Sequence, residues 1–199
     1  MAKLKLTKNE QKKQKDSLKM FQRYLPTLML KKQQLQAEIR AVEVRAEGLR
    51  EQKARLDEDF KKWIGVFGEE GVFTRDILRI ATLHENEGNI AGVLIPVFEG
   101  ASFDIAPYDL VEKPLWLDLA VENLQKALLL DLEIQCLEEQ QRRLGRELRV
   151  TSQRVNLFEK IKIPEAKANI KKIAVYLGDQ QTAAVVRGKI SKRGMERAG

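Results

Sequence analysis

The sequence predicts a mainly α protein: a long antiparallel two-helix coiled coil made by the N- and C-terminal segments, with a small central insert holding a short β-hairpin. Three observations carry this reading. Apolar side chains recur in a 3-4-3-4 rhythm from Leu18 to Trp63, and a similar stripe runs from Leu117 to Leu177. Between them lies a stretch dense in turn residues, with Gly65, Gly68, Gly71, Gly88, Gly92 and Gly100 and with Pro96, Pro107 and Pro114. Charged residues make up 33% of the chain and aromatics 6%, a balance suited to solvent-washed helices and poor for a thick core.

The first stripe reads Leu18, Phe21, Leu25, Leu28, Lys32, Leu35, Ile39, Val42, Ala46, Leu49, Lys53, Leu56, Phe60, Trp63, broken only by Lys32 and Lys53. A heptad pattern sustained this long describes one strand of a coiled coil. At 1.5 Å rise per residue the helix is roughly 70–85 Å long, the length of a rod. It is expected to start near Thr7 and end near Gly65. Pro26 falls inside it, where a missing N–H usually kinks a helix. Glu51–Arg55, Asp57–Lys61 and Glu58–Lys62 have the favourable acid-before-base order at i,i+4 and read as solvated pairs.

Residues 65–114 form the expected insert, between an N-terminal helix over 1–64 and a C-terminal helix over 115–199. Residues 74–84 fit a short strand or helix. Residues 89–98, NIAGVLIPVF, read as a strand, followed by a shorter one near Ala101–Ile105. Pro96 places that strand at an edge or a bulge. The second helix is expected from Pro114 or Leu115. Its stripe runs through Leu117, Val121, Leu124 and Leu128, shifts phase, and continues as Leu130, Ile134, Leu137, Gln141, Leu144, Leu148, Thr151, Val155 and Phe158. Glu138–Arg142 and Glu139–Arg143 repeat the i,i+4 pairing. Pro164 is expected to kink or break the helix before Ile163, Ala166, Ile170, Ile173 and Leu177 resume the stripe. Gly178-Asp179 weakens it again, and the tail after Val186 is polar and basic.

Two stripes joined by a compact insert fold back on each other. With Ile64 beside Trp116, Thr7 falls opposite residue 173, and the last twenty or so residues overhang. Leu35, Ile39, Val42 and Leu49 are then expected to face Leu130, Ile134, Leu137 and Leu144. Trp63 and Trp116 are placed to close the insert end as a packed plug. Net charge is +7, with +5 on residues 1–19 and +8 on residues 149–199, which leaves −6 for residues 20–148. Both basic termini therefore fall toward one end.

Catalytic motifs are nearly absent, so no catalytic, cofactor or metal site is expected. Arg187-Gly188-Lys189 is like the end of a phosphate loop, but Ala183 stands where the loop needs glycine. His84 is the sole histidine and sits in HENE, read as a solvated turn. Cys136 is the sole cysteine, with no activating partner in view, and reads as a reduced thiol in a cytosolic protein. No run approaches 18 apolar residues and the first fifteen lack the stretch of a secretory signal, so no membrane insertion is expected.

Residues 154–164, Arg-Val-Asn-Leu-Phe-Glu-Lys-Ile-Lys-Ile-Pro, resemble the R-V-N-A-L-E-x-x-x-I-P signature of the D subunits of V-type and archaeal A-type rotary ATPases. Arg154, Val155, Asn156, Glu159 and Pro164 carry the match. Asn89–Glu99, NIAGVLIPVFE, is similar to that family's N-V-x-G-V-x-I-P-x-F. The Leu6-Thr7-Lys8 start and the Leu30-Lys31-Lys32 cluster match more loosely. The tract FQRYLPTLML departs from the commoner pattern. The resemblance implies a bacterial or archaeal branch without the longer C-terminal tail.

It further implies a central rotor axle with no catalytic residue, cytoplasmic and peripheral to the inner membrane. Its paired termini would enter the cavity of the hexamer of A and B subunits. Its lower half would bind the F subunit and dock through the stalk's C subunit on the membrane ring. Lys8, Lys12, Lys13, Arg187, Lys189, Lys192 and Arg193 are then expected inside the A–B cavity. A prefoldin-like chaperone or scaffold shares the helix–hairpin–helix order, but its helix tips grip clients with apolar residues, whereas this tip is basic. Nucleic-acid tethering by the basic ends lacks interleaved aromatics beyond Phe21, Tyr24 and Tyr176.

Overall fold

The fold was analysed in a computed structural model, which describes residues 4–63, 77–108, 114 and 116–198. The order is α1 (Lys8–Trp63), β1 (Leu78–Ile90), β2 (Val93–Ile105), α2 (Trp116–Asn156), a π-helical turn (Leu157–Lys162) and α3 (Ile163–Ala198). The chain is mainly helical, with two antiparallel strands in its middle. It divides into two compact units: an inner unit of residues 33–149, and a terminal unit of residues 1–32 with 150–199.

Helix α1 starts where its capping chemistry says it should. Thr7 Oγ1 accepts the Glu10 amide at 3.2 Å, the Thr-x-x-Glu arrangement that satisfies otherwise unpaired N–H groups. Pro26 lies inside α1 without ending it. Every position of the first stripe from Leu18 to Phe60 is buried or half-buried. The Ile64 and Gly65 end of that helix, and the Trp63 side chain, lie outside the described residues.

In the inner unit the helices run antiparallel. Glu43 accepts from Gln141 at 2.8 Å and Lys53 meets Asp131 at 2.6 Å, so numbers rise along α1 as they fall along α2. Lys53, which interrupts the stripe, is therefore answered by a carboxylate on the facing helix. The core holds Leu35, Val42, Ala46, Leu137 and Leu144, with Ile39, Leu49 and Leu148 packed against it. Leu35 and Leu144 are fully buried, each worth about 1.5–3 kcal/mol relative to exposure. Ile95 of β2 enters the same cluster, so the insert helps build the helical core. A second cluster joins Ile77, Leu78, Leu117 and Val121, with Trp116, Leu124 and Leu128 beside it. These two clusters explain the phase shift along α2: its first turns pack on the hairpin base and later ones on α1.

The hairpin corrects two expectations. Residues 89–98 are not one strand, because Ala91 and Gly92 form a tight turn in their middle with φ of 51° and 79°. Asn89 Oδ1 accepts the Gly92 amide at 2.9 Å and closes it. Positive φ at both central residues matches the right-handed twist of hairpin strands. The HENE tract is likewise no turn: His84 pairs with Gly100 in β1, at an irregularity between His84 and Glu85. Residues 78–84 are strand, and 74–76 lie outside the described residues.

In the terminal unit the helix does not break at Pro164: helical backbone runs through the proline directly after the π turn over Leu157–Lys162. The cause is in the stripe. Thr151, Val155 and Phe158 step by four and three, and Ala166, Ile170, Ile173 and Leu177 by four, three and four. Between Phe158 and Ala166 the gap is eight residues, where two heptad steps give seven. The π turn absorbs the extra residue, with the Ile163 amide bonding the Phe158 carbonyl five residues back. It also eases the contact that the Pro164 ring would make with the carbonyl four residues earlier. Phe21 and Phe158 meet with ring centroids 5.1 Å apart, and Ala166 and Ile173 are buried. From Gly178 to Met195 every residue except Ala183 is exposed, yet α3 stays helical across Gly178-Asp179 and through the basic tail.

Candidate functional site

No reactive constellation takes shape among the described residues, and no group of three or more His, Cys, Asp or Glu there could hold a metal ion. No described helix is long and apolar enough to cross a membrane. What the fold displays is surfaces, each positioned by a rigid element.

The first is the seam between β2 and α2. A strand edge presents carbonyls about 6.8 Å apart at every second residue, and a helix presents side chains about 6 Å apart at every fourth. These spacings let α2 satisfy the edge. Gln140 Nε2 donates to the Pro96 carbonyl at 2.6 Å, the Cys136 thiol donates to the same oxygen at 3.4 Å, and Arg143 donates to the Leu94 carbonyl at 3.3 Å. Pro96 suits the position because it brings no N–H to this edge. Burial pushes the Cys136 thiol up, reinforced by Glu85, so the thiol stays protonated and structural. The sequence stripe pointed at Gln141; the structure buries Gln140 and turns Gln141 to Glu43.

The second surface is the line of cross-helix ion pairs in the inner unit. Arg45 meets Glu133 at 2.5 Å, Arg50 meets Glu138 at 2.7 Å, and Lys53 meets Asp131. In each, α1 supplies the cation and α2 the anion. Glu138 thus turns to α1 and away from its expected i,i+4 partner Arg142. Both Arg142 and Arg143 contact Glu139, with Arg143 at 2.7 Å, and hold its carboxyl below the usual carboxylate range. Likewise Lys62 pairs with Asp59 at i,i+3. At the base of the hairpin Tyr108 donates to Asp118 at 2.6 Å, which raises the phenol's pKa.

The third is the basic surface of the terminal unit. Lys8, Lys12 and Lys13 are exposed on α1; Arg187, Lys189, Lys192 and Arg193 are exposed on α3. Arg187 lies 21 residues beyond buried Ala166, roughly 32 Å along the helix. The α3 cations therefore occupy the exposed tail, interleaved with exposed Val185, Val186, Ile190 and Met195. Of the signature residues, Val155 is buried, while Arg154, Asn156, Glu159 and Pro164 face solvent around the π turn. Of the expected core residues outside the main cluster, Ile134 is buried and Leu130 half-buried.

Paired helices, a hairpin docked by its edge on α2 and charged faces define a helical-hairpin protein. The family model for the D subunit of ATP synthase matches residues 10–193, and the chain belongs to that family. It is 52% identical over 194 residues to a V-type ATP synthase D subunit of Borreliella burgdorferi, covering 96% of this chain and 95% of the relative. The V-type ATP synthase D subunits of Chlamydia muridarum and Chlamydia pneumoniae are each 34% identical, covering 96% and 97% of this chain and 95% and 93% of theirs.

Proposed function

We propose that this chain is the central-stalk rotor axle of a V- or A-type ATP synthase, a non-catalytic component that couples ATP turnover in the A–B hexamer to ion movement by the membrane ring. The carrying observation is the 52% identity to a V-type ATP synthase D subunit over nearly the whole of both chains.

The physics of the fold supports the role. An axle transmits torque, and the inner unit couples its helices by buried leucines, three ion pairs and a hairpin clasped to α2. It must also bias chemically identical A–B pairs toward different states, which requires contacts that differ with direction. Exposed cations on one unit supply such asymmetry, and individually weak surface pairs permit sliding. In this reading Lys8, Lys12, Lys13, Arg187, Lys189, Lys192 and Arg193 face the hexamer cavity. The F subunit binds nearer the insert, the stalk's C subunit links the axle to the ring, and the complex sits peripherally on the cytoplasmic face of the inner membrane.

Affinity purification of the tagged full chain from its native source, followed by mass spectrometry, tests the role. Stoichiometric A, B and F subunits are the expected result. Recovery of the chain alone, or with unfolded clients of many kinds, would replace the axle with a coiled-coil chaperone.

A further inference from the structure

The terminal unit carries an apolar strip that its own helices leave uncovered. Met20 and Tyr24 on α1, and Val150, Leu157 and Ile161 on the facing helix, are between 37% and 55% exposed. The Phe21–Phe158 contact fixes where they lie. At about 100° per residue, Met20 and Tyr24 sit some 60–100° to one side of Phe21, and Leu157 and Ile161 sit at a comparable offset on the same rotational side of Phe158. In an antiparallel pair of right-handed helices, equal offsets of the same sign fall on one face. The five side chains thus form one strip along one face of the pair, with the π turn holding Leu157 and Ile161 outward.

The strip continues into a groove of ≈ 430 Å³ lined by Asn9, Lys12, Lys13, Asp16, Ser17 and Met20, which belongs to the same flank of α1. The charges bordering strip and groove are mostly of one sign. Lys13, Arg23, Arg154 and Lys160 are exposed, and none makes an ion pair among the described residues. Asp16 is the acidic group in the groove, and Glu165, one turn beyond Ile161, is paired with Lys162 at 3.6 Å. Exposed apolar surface rimmed by unpaired cations is what a docking face looks like before its partner arrives.

We propose that this face receives an acidic amphipathic helix from a partner protein, its apolar stripe on Met20, Tyr24, Leu157 and Ile161 and its carboxylates on Arg23, Arg154, Lys160 and Lys13. The strip is narrow and bordered by cations on both helices, the form of a seat for a third helix in a bundle. A membrane surface would call for a broad apolar face. The inference rests on the proposed role only in expecting a partner, and its test uses the isolated full-length chain.

The probes are two fluorescent synthetic peptides of about 18 residues with the same leucine stripe, one flanked by Glu and one by Lys. Anisotropy titration is expected to show the Glu-flanked peptide binding at least about tenfold more tightly, with the preference shrinking as salt rises. Leu157→Ser with Ile161→Ser should weaken it about tenfold while helicity and melting stay unchanged, because both side chains are exposed. Arg154→Glu with Lys160→Glu should invert the peptide preference. Equal binding of both peptides, or binding indifferent to these substitutions, overturns the proposal. It is also overturned if the same substitutions instead abolish self-association in sedimentation, or binding to vesicles of phosphatidylserine and phosphatidylcholine. If the peptide test fails while the native chain still co-purifies with A and B, the strip assignment falls and the axle stands.

Discussion

The two units use the same heptad grammar to opposite ends. In the inner unit, cations on α1 are answered by anions on α2 and the core is thickened by Ile95 from the hairpin. In the terminal unit the cross-helix contact at Phe21 and Phe158 is aromatic, the bordering cations have no ion-pair partner among the described residues, and apolar side chains lie open along one face. The first unit pairs its cross-helix charges internally, although single apolar side chains such as Val44 and Leu94 stay exposed; the second leaves its cations and an apolar strip open. For the proposed axle that is a division between stiffness and contact.

The contrast can be broken most directly in the cores. Leu144→Asp would bury an unpaired carboxylate against Leu35 and Leu137 and should cost several kcal/mol, enough to unfold the inner unit near room temperature by circular dichroism. Val186→Asp on the exposed α3 tail should change stability by no more than about 0.5 kcal/mol. Equal effects would erase the distinction between the units.

Next in size is Ile173→Ala. The side chain is fully buried, so a cost of about 2–3 kcal/mol is expected, toward the low end for such truncations because exposed neighbours can collapse around the site. A cost below ~0.5 kcal/mol would mean that α3 is unpacked even at Ile173. A smaller change tests the seam: Gln140→Ala leaves the Pro96 carbonyl with the weak thiol donor alone and should cost about 1–2 kcal/mol. Hydrogen exchange should accelerate in β1 and β2 while α1 is unaffected. Uniform acceleration would mean that the hairpin does not open separately.

The smallest effects concern charge. Lys53→Leu restores the stripe at the loss of a half-exposed ion pair and should fall within about 1 kcal/mol of wild type in either direction. The Arg143 and Arg142 contacts lower the Glu139 pKa in the folded state. Their contribution is therefore complete above the ordinary carboxylate range and is lost as pH falls through the lowered value. Glu139→Gln should lower the melting temperature slightly at neutral pH, flatten the acid end of the profile and converge on wild type at low pH.

Much of this architecture was legible in residue spacing, because a heptad stripe reports a helix face whatever covers it. The α1 stripe and the start of α2 followed from side-chain type alone. The hairpin turn was not legible, since Ala91-Gly92 lies inside an apolar run and its positive φ values depend on pairing between β1 and β2. The path through Pro164 was written in the eight-residue gap from Phe158 to Ala166, visible only when the steps are counted across the proline. Gln140 was hidden because its partner is a backbone carbonyl 44 residues away. The exposed strip was hidden because Met20, Tyr24, Leu157 and Ile161 flank the stripe, and sequence cannot say which flank a neighbour leaves open.

Site-specific photo-cross-linking tests the division of labour directly. A photoreactive residue replaces Leu157 in the terminal unit or Val44, exposed in the inner unit, in full chains assembled with the A–B hexamer. That division predicts that Leu157 links to A or B and that Val44 does not. Links to A and B from Val44 with none from Leu157 would contradict it.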